Sequence, residues 1–71
     1  MNFTLKTGRT VSKPASYCVA TKARGRWSHK FFKSWQAARN EYKQTDRYCR
    51  DADMAAYYGL QDCAFIKGIE S

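Results

Sequence analysis

One histidine, three cysteines and one close pair of carboxylates are the side chains whose types and spacing could do chemistry in this 71-residue chain. His29 is the sole group with an unperturbed pKa near neutrality, so a general base would have to be this residue. Its available nucleophilic partners are Cys18, Cys49 and Cys63. Cys18 could approach His29 across a hairpin, but the strand register derived below puts the two on opposite faces. His29 therefore reads as an ordinary strand histidine. Asp51 and Asp53, two apart on a helix, point to different sides and suit a helix N-terminus rather than a shared proton or metal. A zinc site built from Cys18, His29, Cys49 and Cys63 would lack any close Cys or His pair. A divalent-metal nuclease centre needs more convergent acids than this chain offers. Phosphate-binding, dinucleotide-binding, zinc-protease and nucleophile-elbow patterns are absent. The residues predict no enzyme, no metal and no cofactor.

What remains is surface chemistry, and the charge is distributed unevenly. The chain carries 13 Lys and Arg against 6 Asp and Glu, a net charge of +7. The first acid is Glu41, so residues 1–40 hold nine cations and no carboxylate, or +9. Residues 41–71 hold four cations and six carboxylates, or −2. Such a split favours one face for a polyanion or an acidic surface. Lys22, Arg24 and Arg26 fall at a hairpin tip, with Lys30 and Lys33 farther along. A two-stranded ribbon fits a DNA major groove, where Arg24 or Arg26 would meet guanine edges and Lys22, Lys30 and Lys33 the phosphates. On a single strand, Tyr17, Trp27 and Phe32 would supply stacking faces beside the same cations. Arg39, Lys43 and Arg47, followed by Arg50, form a second basic row on a helix, partly offset by Glu41, Asp46 and Asp51. The competing interpretation is plain solvation: tight hairpins are often charged, Lys on an edge strand blocks aggregation, and an amphipathic helix needs a polar face.

The elements that must position these side chains follow from periodicity. Residues 2–7 alternate with Phe3 and Leu5 on one side, as in a short strand, and Val11 begins a second extended piece. Pro14 places residues 12–16 in a loop. Residues 17–33 carry the strongest strand signal, broken at Gly25. A three-residue loop, 24–26, would pair Ala23 with Trp27, Thr21 with His29 and Val19 with Phe31. That register gathers Val19, Trp27 and Phe31 on one face, whereas a two-residue loop would set Lys22 opposite Trp27. Ser34 reads as an N-cap. Trp35, Ala38, Tyr42, Thr45 and Cys49 then mark one face of a helix over about 35–50. Asp51 or Asp53 caps a second short helix, Ala52–Tyr58, unless the first continues, and Gly59 suits a left-handed C-terminal position. Residues 62–69 read as a closing strand.

The chain is thus predicted to be a single small α+β domain over residues 1–71. Its antiparallel sheet has three to four strands in the order β-ββ-α-β, packed on one main helix. Trp27, Phe31, Trp35, Tyr42, Phe65 and Ile66 are its expected core. Eleven aromatics exceed the needs of so small a core, which leaves Tyr17, Phe32, Tyr48, Tyr57 and Tyr58 for the surface. The length excludes a large substrate cavity or a nucleotide-binding α/β fold, and 44 % hydrophobic residues exclude a disordered chain. An odd number of widely spaced cysteines predicts reduced thiols. The opening residues contain no apolar targeting segment and no run approaches the ~20 residues that span a bilayer, so a cytoplasmic protein without membrane association is expected.

Over residues 17–50, the order of strand, Gly turn, strand and helix resembles the integrase arm-binding domains, in element order and in no matched residue. The resemblance implies DNA contact through the strands. The leading expectation is a non-enzymatic module that binds DNA or RNA through the basic hairpin 22–33. The alternative is an accessory protein of phage or mobile-element type that binds an acidic surface of a host protein and inhibits or modulates that protein or a nucleoprotein complex. Either could act as a monomer or a homodimer.

Overall fold

In the computed structural model, which describes residues 1–70, three layers stack through the middle strand of a sheet. The first layer is a short ribbon, β1 (Asn2–Thr4) paired antiparallel with β2 (Thr10–Ser12). The second is a three-stranded antiparallel sheet of β3 (Tyr17–Ala23), β4 (Arg26–Phe32) and β5 (Leu60–Lys67), with β3 in the centre. The third is α1 (Trp35–Arg50) with the short α2 (Ala52–Tyr58). The class is α+β, with the sheet packed against one main helix.

Each helix boundary has a local cause. The Ser34 backbone is extended and its hydroxyl accepts the Ala37 amide at 3.4 Å, which starts α1. Asp51 separates the helices and serves both. Its amide donates to the Arg47 carbonyl, while its carboxylate accepts the Asp53 and Met54 amides at 3.0 and 3.1 Å. Gly59 ends α2 in the left-handed region at φ 66°. The closing strand begins two residues earlier than periodicity suggests, because Leu60 already pairs with Ala23.

Two expectations are overturned, the hairpin loop and the place of Trp35. The hairpin loop has two residues, not three. Ala23 pairs with Arg26, Lys22 with Trp27, Ala20 with His29 and Cys18 with Phe31. Both loop residues are left-handed, Arg24 at φ 53° and Gly25 at φ 80°, as the tightest hairpin turns require. The penalty for a side chain at Arg24, about 1–2 kcal/mol, is opposed by anchoring. The Arg24 amide donates to the Gly59 carbonyl at 2.7 Å and the Gly25 amide to Gln61 Oε1 at 3.2 Å. Lys22 is tolerated opposite Trp27 because its other cross-strand neighbour is Asp62.

The sheet is covered on both faces, by α1 on one and by the N-terminal ribbon on the other. With the observed register, Cys18, Ala20, His29 and Phe31 share the face that meets the N-terminal ribbon. Phe3 packs edge-on against Phe31 with ring centroids 5.1 Å apart. Val19, Thr21 and Phe65 share the face toward α1, where Tyr42 meets Phe65 at 6.0 Å. This explains why Cys18, Val19 and Ala20 are buried in succession although strand side chains alternate. Phe3 and Val19, both fully buried, each contribute roughly 1.5–3 kcal/mol of transfer free energy.

Finally, Trp35 is not a core residue. It sits in the first turn of α1, 49 % exposed, with the Arg39 guanidinium 5.3 Å from its ring. Ala38 is the buried contact of that turn instead.

Candidate functional site

The register divides the expected binding residues between two sides of the sheet. Arg26, Ser28, Lys30 and Phe32 alternate onto the α1 side of β4. Lys22 and Trp27 lie on the ribbon side. Arg24 belongs to the tip, where its side chain lies across Gly59. A Cβ placed on Gly59 would come within 2.9 Å of Arg24 Nε. The hairpin tip is therefore braced against the end of α2 rather than projecting freely.

The ribbon side recruits cations that the hairpin segment alone does not reveal. Lys6 Nζ lies 6.0 Å from the Trp27 ring and Lys13 Nζ 5.4 Å from the Phe31 ring. Both come from the first thirteen residues, and only tertiary packing brings them to the sheet. His29 Nε2 accepts the Lys6 amide at 3.2 Å, so the assigned tautomer carries its proton on Nδ1. Burial lowers the His29 pKa. Cys18 shares this face with His29, contrary to the expectation of opposite faces, because the two-residue loop shifts β4 by one position. Its thiol is fully buried and its pKa is raised by that burial.

On the α1 side, one helix carboxylate turns to the sheet and the other binds the last cation of the basic row. Glu41 pairs with Lys30 Nζ at 3.0 Å. Asp46 pairs with Arg50 Nε at 2.9 Å and accepts the Cys63 thiol at 3.7 Å. These are the ion pairs found among the described residues. Arg39, Lys43 and Arg47 follow at four-residue steps along the outer face, about 6 Å apart along the axis, with no carboxylate bound to them. Arg26 and Lys33 are exposed and likewise unpaired among the described residues.

Because α1 leans over β3 and β5 and touches β4 only lightly, a groove of about 540 Å³ opens between the helix and β4. Thr21 and Ala23 form its floor, Ser28 and Lys30 one wall, and Glu41, Gln44, Thr45 and Tyr48 the other. Tyr58 and Leu60 close the end nearest the hairpin tip. Tyr48 and Tyr58 are stacked with centroids 6.2 Å apart, and Tyr57 meets Tyr58 edge-on at 4.8 Å. Of the aromatics expected at the surface, Tyr57 and Tyr58 are exposed, while Tyr17, Phe32 and Tyr48 are half-buried.

The thiols at the α1–β5 contact are shifted upward. Cys63 is pushed up to about 12 by burial and by the neighbouring Cys49 and Asp46. Burial also raises Cys49. All three cysteines are free. Among the described residues no three His, Cys, Asp or Glu side chains converge as a metal site would require, and no helix is long and apolar enough to cross a membrane. Comparison with protein families, with curated proteins and with solved structures returned no match to this chain.

Proposed function

We propose that this protein is a non-enzymatic nucleic-acid-binding module. The observation that carries the reading is the orientation of Glu41 and Asp46. Glu41 turns to Lys30 of β4, while Asp46 binds Arg50, the last cation of the row, and meets Cys63 of β5, which leaves Arg39, Lys43 and Arg47 as a stripe without a bound carboxylate. Arg26 and Lys33 add two exposed cations from β4 and the bend before α1. Five phosphate contacts predict that log K falls with log[salt] at a slope near −4.5 for duplex and near −3.5 for a single strand. Replacing Arg39, Lys43 and Arg47 together by Gln reduces that slope by about 2–3 and weakens binding to all sequences alike. Absence of binding to any DNA or RNA at about 50 mM salt, where phosphate contacts are strong, rejects the reading.

A second reading rests on the Trp35–Arg39 pair. An exposed Trp with a guanidinium over its ring is the kind of anchor that protein interfaces use, and it would suit an accessory protein occupying an acidic host surface. A protein retained from nuclease-treated bacterial lysate by the wild type, and lost by Trp35→Ala, favours this second reading.

A further inference from the structure

We infer that the groove between α1 and β4 is a base-binding site for single-stranded nucleic acid, an inference that rests on the nucleic-acid reading above and specifies its ligand. The groove holds an aromatic wall and cationic flanks in one place. Tyr48 and Tyr58 line it as a stacked pair, and Tyr58, 47 % exposed, extends that stack to the surface. Arg24 and Arg26 stand at the same end, because the hairpin tip is bonded to Gly59 immediately after Tyr58. Lys30 lies farther along the same wall.

The volume of about 540 Å³ falls within the range of small-ligand sites, ~300–1,000 Å³. Its floor and wall carry two hydroxyls, Thr21 and Ser28, that make no side-chain hydrogen bond among the described residues. They are free to meet the polar edge of a base. Arg26, exposed and without a bound carboxylate among the described residues, stands at that end to meet a phosphate beside the base.

These features select a single strand. In a duplex the bases are stacked and paired, so a tyrosine inside a groove reaches a base face only if the base is first flipped out. In a single strand each base offers its π-face, and aromatic stacking beside a positively charged groove is the common solution. Glu41, paired to Lys30, offsets that cation, so the positive charge of the groove is concentrated at the hairpin tip.

The test measures anisotropy of labelled oligothymidine and oligouridine of about 12 nucleotides, within the usual site sizes, against a duplex of equal length and at equal salt. The full chain should bind a single strand more tightly than the duplex, and the ratio between the two sugars identifies the natural source. Tyr58→Leu should weaken single-strand binding about 5- to 150-fold with the salt slope unchanged. Ser28→Phe, on an exposed edge-strand position, should block the groove to a similar degree, and neither substitution should alter duplex binding. Wild-type single-strand affinity in both variants, or equal losses for single strand and duplex, overturns the groove assignment while leaving the nucleic-acid reading intact. No binding of either form overturns both. Thermal melting of each variant confirms that it is folded.

Discussion

Arg24 and Gly59 lock the hairpin to the end of α2: the Arg24 amide donates to the Gly59 carbonyl at 2.7 Å, and the Arg24 side chain covers the place a Gly59 side chain would take. Gly59 is also left-handed. Gly59→Ala should therefore cost about 1–2 kcal/mol from backbone conformation alone. In a domain of this size each kcal/mol lowers the melting temperature by about 4–8 °C. A circular-dichroism melt superimposable on the wild type would show that this lock contributes nothing.

The N-terminal ribbon is a structural layer, not an appendage. Phe3 is 1 % exposed and meets Phe31 across the sheet face opposite α1. Phe3→Ala should destabilise the fold by about 3–5 kcal/mol, measured as a fall in the urea midpoint. A loss below about 1 kcal/mol is the value expected of a surface site and would contradict burial of this ring.

His29 should make stability pH-dependent in a defined window. Burial lowers its pKa in the folded chain, and its Nε2 accepts the Lys6 amide only when unprotonated. The unfolded chain titrates near about 6.5 and binds the proton first as pH falls. The contribution is therefore complete above about pH 6.5 and is lost below it, toward the folded pKa. Urea midpoints measured from about pH 7 to 5.5, above the usual carboxylate range, should fall for the wild type and stay level for His29→Gln. Parallel profiles would exclude His29 as the source.

Cys63 should be a slow thiol. Burial, Cys49 and Asp46 push its pKa up to about 12, so little thiolate exists near pH 8.5, where an ordinary cysteine is half ionised. Alkylation by iodoacetamide, followed by peptide mass spectrometry, should proceed at least roughly tenfold more slowly at Cys63 in the folded chain than after denaturation. Equal rates would mean that the thiol is free of its surroundings.

The helix ends were legible because their causes are local. Ser34, Asp51 and Gly59 act within a few residues of themselves, and α1, α2 and the strand 17–23 follow from their own periodicity. The basic candidates were legible as charges but not as a site. Nothing in the hairpin segment announces that Lys6 and Lys13 will lie over Trp27 and Phe31, or that Lys30 will be neutralised by Glu41. The groove was invisible for the same reason, since its walls come from β4, α1 and the start of β5.

By itself, the order of residues determined the α+β class, the capped helices and a +9 half joined to a −2 half. Only the tertiary structure decided the hairpin register, the second covered face of the sheet and the placing of Lys22 on the face of Trp27 rather than that of Arg26 and Lys30. The physical reason lies in where the deciding energy comes from. Caps and periodicity depend on neighbours in the chain. A one-residue change in hairpin loop exchanges the faces of every β4 side chain, and that choice is made by Phe3 against Phe31 and Gly59 against Arg24, residues far apart in sequence and in contact only when the layers close.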